Sequence, residues 1–174
     1  MKEFFINAYQ SYLFNKWLSK RIEISRLIEE FDLKEAMHAT NLSQEVVENA
    51  KKQPQFFKLL HGDVLHHYPA GKAFICEDVE EELLRFLDRS ISIAGWLVGG
   101  KNITAAYEAG VIEEQMFEES DLFLRKINGA RRFAWSFAED IEGVYKEEEA
   151  WFEMHFSLPK GSYATMIIEE LTKQ

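Results

Sequence analysis

The stretch WFEMHFSLPKGSYATMIIEEL, residues Trp151–Leu171, decides the fold class because it contains a strand, a turn and a helix in succession. From Phe152 to Leu158 apolar and polar side chains alternate, which is typical of a strand with one buried face. Pro159 ends that strand, and Ser162 occupies the place of a helix N-cap before a run with helical apolar spacing. Because so short a unit cannot bury both apolar faces alone, the stretch predicts a strand and helix that join a larger sheet.

Upstream of this stretch, the sequence mixes helices and short strands without a regular strand–helix–strand repeat. The pattern therefore predicts an α+β fold with short antiparallel strands rather than a doubly wound parallel sheet. The predicted elements are a long helix from Phe4 to about Glu30, helical segments over Leu33–Leu60 with Ser43 as an N-cap, a hairpin over Asp63–Cys76, a helix from Asp78, a strand over Ile91–Ala94, a helix over Thr104–Glu119, a short helix after Ser120 and a strand over Phe133–Phe137. An acidic patch at Glu147–Ala150 predicts a boundary between residues 1–150 and 151–174.

Composition limits the class of protein. Of 174 residues 47% are hydrophobic, enough for a real core, and one cysteine, Cys76, predicts a reducing cytoplasm. No apolar run is long enough to span a membrane. The net charge of −10 opposes autonomous nucleic-acid binding, unless basic residues cluster on one surface or another polypeptide segment supplies positive potential.

Five segments together resemble one family. LPKGSYATMIIEEL, residues 158–171, closely resembles the closing segment of the TruD family of tRNA pseudouridine synthases. FFINAYQSYLFNKWL, residues 4–18, resembles the helix that follows the family's catalytic motif. HGDVL (61–65), GWLVGGK (95–101) and GARR (129–132) resemble, in order, segments of the domain inserted into its catalytic domain.

The resemblance also implies an absence. The family's nucleophilic aspartate, in a Thr-Lys-Asp-type motif, and its Asn-Tyr-Phe-Gly-x-Gln-Arg-Phe-Gly motif do not occur here. The chain therefore looks like the insertion domain, residues 1–150, and the last strand and helix of the catalytic domain, residues 151–174. On this interpretation the N-terminal catalytic half is missing, and the chain alone has no catalytic residue and no synthase activity.

The resemblance implies that the assembled enzyme isomerises a specific uridine in tRNA, with tRNA and the missing half as partners and no metal or organic cofactor. The target base is flipped out of the stack before it is detached, rotated and rejoined. Gly161, Ser162 and Tyr163 are expected near the substrate pocket. A non-catalytic module that binds RNA or protein is the alternative.

The densest basic patch contains Arg125, Lys126, Arg131 and Arg132. Arginine suits phosphate recognition, so Arg131 and Arg132 are the leading candidates for RNA contact. The resemblance implies that these two residues and Lys101 face the RNA across the cleft between the two domains. The alternative is that these arginines pair with nearby carboxylates such as Glu139 or Asp140. Lys16, Lys20 and Arg21 form a second basic strip, interpreted as a solvated helix face or a phosphate contact.

Two further patterns suggest other chemistry. Gly95–Lys101 nearly matches a phosphate-binding loop and would imply nucleotide hydrolysis, but Asn102 replaces the magnesium-binding hydroxyl. The alternative there is a tight strand-to-helix turn. A metal site is a weaker interpretation than an ordinary hairpin surface for His61, Asp63, His66 and His67. Cys76 lies in an apolar strand followed by acids, which predicts a raised pKa and no nucleophilic role.

Overall fold

A computed structural model describes residues 2–116, 124, 126–159 and 162–172. They fall into two compact units, residues 1–134 and 135–174. The predicted boundary at Glu147–Ala150 instead lies inside the second unit, in the connection between two paired strands. The assignment of residues 1–150 and 151–174 to two domains of a larger enzyme stays a prediction.

The first unit contains five helices within the described ranges. They are α1 Lys2–Glu30, α2 Leu33–Thr40, α3 Gln44–Lys52, α4 Val79–Leu87 and α5 Tyr107–Glu114. Asp32, Ser43 and Asp78 cap α2, α3 and α4, and each accepts a hydrogen bond from a backbone N–H of the first turn. The predicted long helix, the Ser43 cap and the helix after Asp78 are thus confirmed, whereas α5 is shorter than predicted.

A four-stranded antiparallel sheet completes this unit. Its strands are β1 Val64–His67, β2 Ala73–Ile75, β3 Ile91–Leu97 and β4 Ala130–Phe133, in the order β2-β1-β3-β4. The predicted β1–β2 hairpin is confirmed, with Leu65 opposite Phe74. Helices and antiparallel strands in this arrangement confirm the α+β class. The strand predicted over Phe133–Phe137 is wrong in position, since β4 ends where that prediction begins.

Helix α1 supplies much of the core. Leu13, Phe14 and Trp17 are buried, and the rings of Phe14 and Trp17 lie where a side chain on Gly95 of β3 would have to go. Farther along, Ile24 and Ile28 pack with apolar residues of α3 and α5. In the first turns of α1, by contrast, Phe4, Phe5 and Tyr12 are exposed.

The second unit contains β5 Glu139–Lys146, β6 Trp151–Ser157 and α6 Ala164–Thr172. The predicted terminal strand is confirmed and pairs with β5, with Phe152 opposite Tyr145. Helix α6 begins slightly later than a Ser162 N-cap predicts. No described residue of this unit is buried, and Phe152 at the start of the alternating pattern is 62% exposed.

Candidate nucleic-acid interface

Two chain segments cross in close contact beyond the end of β3. The Gly100 N–H donates to the Ile127 carbonyl over 2.7 Å, and Gly100 forms a parallel bridge with Asn128. A Cβ built on Gly99 would lie 2.2 Å from the Gly129 nitrogen, and one on Gly129 would lie 2.8 Å from the Gly99 Cα. Both positions therefore require glycine. We call residues 98–101 and 127–129 the Gly99–Gly129 crossing.

A buried amide from α1 joins the two segments of the crossing. Gln10 is 7% exposed, and its Nε2 donates to the Val98 carbonyl over 2.6 Å and to the Asn128 carbonyl over 3.1 Å. The sequence analysis missed this residue. The available signal was its spacing, because Gln10 lies three and seven residues before the buried Leu13 and Trp17 and so belongs to their face of the helix.

Arg131 is held inside the first unit. Its guanidinium forms a two-pronged ion pair with Glu113, with 2.9 Å from Nη2 to Oε2, and both side chains are 4% exposed. Nε and Nη2 also donate to the Ile103 carbonyl over 2.8 and 2.6 Å. These donors are buried and already hydrogen-bonded within the protein. The prediction that Arg131 contacts RNA is therefore corrected: Arg131 is a structural residue. Arg131 does pair with a carboxylate, as the alternative predicted, but the partner is Glu113 rather than Glu139 or Asp140.

Three other predicted cations are exposed on the same unit. We call Lys101, Lys126 and Arg132 the basic surface. Lys101 belongs to the crossing and has a φ of 63°, a left-handed conformation that fixes a sharp change of chain direction. Lys126 immediately precedes the other segment, and the Arg132 guanidinium lies 5.0 Å from the centre of the Phe14 ring. RNA contact by these three residues stays a prediction.

The other predicted site residues are Arg125, Gly161, Ser162 and Tyr163. Arg125 and Gly161 are outside the described residues. Ser162 is partly buried, and its hydroxyl donates to the Ser136 hydroxyl over 2.9 Å. Tyr163 is exposed. A role for Ser162 and Tyr163 near a substrate pocket is therefore still a prediction.

The second basic strip divides into three different environments. Lys16 is exposed, and Lys20 donates to Glu23 over 2.9 Å. Arg21 is 1% exposed and forms a two-pronged ion pair with Asp63, which is 2% exposed. The prediction of a solvated strip is therefore wrong for Arg21, which joins α1 to the segment before β1.

The phosphate-loop interpretation is contradicted. Gly95, Trp96 and Leu97 belong to β3, and Gly95 is packed under Phe14 and Trp17. A phosphate-binding loop runs directly into a helix N-terminus, whereas α5 begins only at Tyr107. The alternative of a tight turn into a helix fails for the same reason.

Two of the four predicted metal ligands near β1 make other contacts. His61 stacks on Tyr107 with 3.9 Å between ring centres, and Asp63 is occupied by Arg21. Within the described ranges, no three His, Cys, Asp or Glu side chains form a group that could hold a metal ion. None of the helices in those ranges is long and apolar enough to cross a membrane.

The family model for tRNA pseudouridine synthase D (TruD) matches residues 1–171. The chain belongs to the TruD family. Its relatives include tRNA pseudouridine synthase D of Campylobacter jejuni serotype O:6, 47% identical over 98% of this chain and 46% of the relative. The Wolinella succinogenes enzyme is likewise 47% identical over the same shares, and that of Sulfurimonas denitrificans is 43% identical over 100% of this chain and 47% of the relative. The chain thus spans about half the length of these TruD relatives.

A solved structure shares the fold. The TruD crystal structure from Methanosarcina mazei matches 95% of this chain and 37% of its own, with a TM-score of 0.57 and 19% sequence identity. At that identity the match concerns the fold alone. It is consistent with the α+β class described above.

The segments that resemble TruD supply the framework of the first unit. HGDVL contains Asp63, the partner of Arg21, and GWLVGGK contains Gly95 and Gly99. GARR contains Gly129 and the buried Arg131. These TruD-like segments are therefore built around buried ion pairs and close backbone contacts, while the exposed Lys101 and Arg132 lie at the ends of two of them.

Cys76 is buried beside charged groups, and its predicted lack of reactivity has a physical basis. Burial raises the pKa of the Cys76 thiol to about 12, and the negative charge of Asp63 adds to the shift. The predicted direction of this pKa shift is confirmed. A thiol that keeps its proton is a poor nucleophile.

This pKa predicts a loss of stability in alkali. Above an unfolded pKa of about 8.5 the unfolded chain releases the thiol proton while the folded chain retains it, so stability falls as pH rises. We expect the stability difference between the unsubstituted chain and Cys76→Ala, measured by urea unfolding, to narrow by about 1–2 kcal/mol between pH 7.5 and 10. A difference that stays constant across this range would contradict the assignment.

Proposed function

We propose that this chain acts as the C-terminal part of a tRNA pseudouridine synthase in the cytoplasm. The observation that carries the proposal is the match of nearly the whole chain to enzymes named tRNA pseudouridine synthase D, of which it covers about half. In this proposal residues 1–150 are the insertion domain, and residues 151–174 complete the catalytic domain. The nucleophilic aspartate comes from the N-terminal part.

The described residues suit a supporting role in this reaction. Lys101, Lys126 and Arg132 are exposed cations that can pair with tRNA phosphates, and such contacts fix the position of a nucleic acid without reading its sequence. The reaction requires the target uridine to leave the base stack of the tRNA. Contacts that fix the surrounding phosphate backbone are therefore important. Ser162 and Tyr163 are proposed to border the pocket that receives the flipped base.

The exposed apolar surfaces support a partner polypeptide. The second unit has no buried residue among those described, and Phe152, Met166 and Leu171 are exposed. The first turns of α1 expose Phe4 and Phe5. Large apolar groups exposed in clusters mark interaction surfaces. We propose that the N-terminal catalytic part covers them.

Reconstitution tests the proposal. The chain alone is expected to leave uridine unconverted in unmodified tRNA, because it lacks the motif of the nucleophilic aspartate. Mixed with the N-terminal part of the Campylobacter jejuni relative that it does not match, it should form pseudouridine, measured by mass spectrometry after carbodiimide labelling. We call this mixture the reconstituted pair.

The controls separate the two halves of the claim. The N-terminal part alone is the matched control and should be inactive. Conversion by this chain alone would contradict the divided active site, and an inactive mixture that nevertheless forms a complex would contradict the enzymatic proposal.

The alternative is a non-catalytic module that binds RNA or protein. The exposure of Lys101, Lys126 and Arg132 on a chain of net charge −10 is the observation that favours RNA binding. Salt-dependent tRNA binding by the chain alone, with no conversion by the pair, would favour that module. Binding that needs the N-terminal part would favour the enzyme.

A further inference from the structure

We propose that Gln10 is a positioning residue for tRNA: its buried amide fixes the Gly99–Gly129 crossing and thereby the placement of Lys101 and Lys126. The inference rests on the proposed function, because it takes these lysines as phosphate contacts. It adds a residue from α1 that does not itself reach the RNA. The chemical class of ligand is the phosphate backbone of tRNA.

The geometry gives Gln10 a hold on both segments at once. One side-chain nitrogen donates to the Val98 carbonyl, one residue after the end of β3, and to the Asn128 carbonyl in the opposite segment. Lys101 lies three residues beyond Val98, and Lys126 lies two residues before Asn128. Each lysine therefore lies two or three residues from a carbonyl that Gln10 holds by a hydrogen bond.

Val98 and Ile127 pack into one apolar cluster with Leu13 of α1, so hydrophobic packing as well as polar contacts holds the crossing. Gly99 and Gly129 bring no side chains to the contact, and glycine has more conformational freedom than any other residue. The backbone bonds between the segments are 2.7 Å from Gly100 to Ile127 and a long 3.4 Å from Gly129 to Gly100. The two bonds from Gln10 consequently account for a large share of the polar contacts that fix the crossing among the described residues.

Position matters because the chain is acidic. With a net charge of −10, general attraction to RNA is weak, so binding depends on a few cations held where phosphates can meet them. A lysine on a mobile segment loses conformational freedom on binding, and this loss reduces affinity. Fixing the segment in advance removes part of that cost.

The test compares Gln10→Leu with Asn15→Leu. Leucine keeps the approximate volume of glutamine and removes its donors, while Asn15 is an exposed amide of the same helix and serves as the matched control. Limited trypsin digestion, followed by mass spectrometry, reports cleavage after Lys101 and Lys126. Lys72, exposed between β1 and β2, is the internal reference.

We expect Gln10→Leu to accelerate cleavage after Lys101 and Lys126 by about tenfold relative to Lys72, since two hydrogen bonds no longer oppose local opening. Asn15→Leu should leave all three rates unchanged. Equal acceleration at all three lysines would indicate general destabilisation and overturn the inference. Unchanged cleavage would overturn it as well.

Binding of tRNA by the reconstituted pair gives the functional readout. Gln10→Leu should lower the slope of log affinity against log salt by up to about 1.8, the value for two lost phosphate contacts. In a Lys101→Ala/Lys126→Ala background it should have no further effect, because the lysines through which it acts are gone. Faster cleavage with unchanged binding would overturn the positioning role.

The two proposals fail separately. If the unsubstituted pair binds tRNA but Lys101→Ala/Lys126→Ala does not weaken it, the inference fails while the proposed function stands; this arm needs no Gln10 variant and holds even if Gln10→Leu does not fold. If the unsubstituted pair binds no tRNA, the proposed function fails.

Discussion

Replacing Arg21 by methionine is expected to lower the free energy of unfolding by about 3–5 kcal/mol, the cost of breaking a buried ion pair at one partner. Arg21 donates to Asp63 over 2.9 Å and, from the same nitrogen, to the Lys58 carbonyl over 2.9 Å. Without it, the Asp63 side chain keeps a bond from the Leu60 N–H but no countercharge. Urea unfolding followed by circular dichroism measures the change.

Arg26 provides the matched control on the same helix. It pairs with Glu30 over 2.8 Å, but both side chains are exposed, and exposed ion pairs contribute about 0–1 kcal/mol. Arg26→Met should therefore unfold close to the unsubstituted chain. Adding Asp63→Asn to Arg21→Met should recover part of the loss, since it removes the buried charge. Equal effects of the two arginine substitutions would contradict the buried-pair account.

Arg131→Met is the second substitution with a large expected effect, again about 3–5 kcal/mol of unfolding free energy. Its guanidinium satisfies the Glu113 carboxylate and the Ile103 carbonyl. Glu113 also accepts the Ala105 N–H, so the loss reaches the segment that leads into α5. Urea unfolding again gives the measurement, and a change below about 1 kcal/mol, the ceiling for an exposed pair, would contradict the burial of this pair.

Arg132, the next residue along the strand, is its matched control. Arg132→Met should cost about 0.5–1 kcal/mol, the scale of a cation–π contact made by an exposed cation, here Arg132 over the buried Phe14 ring. In tRNA binding by the reconstituted pair, the same substitution should reduce the salt slope by about 0.9, as for one lost phosphate contact. The two neighbouring arginines would then have different roles, with Arg131 stabilising the fold and Arg132 contacting RNA.

Much of the fold followed from periodicity. The long run of helical spacing predicted α1, and strict alternation predicted β6, because each pattern extends over many residues. The same helical spacing also indicates a buried cation on α1. Arg21 lies four residues after Trp17 and three before Ile24, on the buried face of α1.

The ion-pair partners of the buried arginines could not be predicted from the sequence. Alternation in β4 places Arg131 on the same face as Phe133 and opposite to Arg132, which indicates an inward side chain. That Glu113 of α5 would meet it depends on tertiary packing between elements separated along the chain. Neither the phosphate loop nor the tight turn predicted for Gly95–Lys101 is correct, because the apolar strand that begins at Ile91 continues through Leu97.

The β5–β6 hairpin has a consequence for how this polypeptide behaves by itself. Its two strands are paired only with each other among the described residues, so each has an outer edge open to hydrogen bonding. Acidic side chains are frequent along them, including Glu139, Asp140, Glu142 and Glu153. Their mutual repulsion discourages edge-to-edge stacking of identical hairpins at neutral pH, so charge guards against aggregation where burial does not.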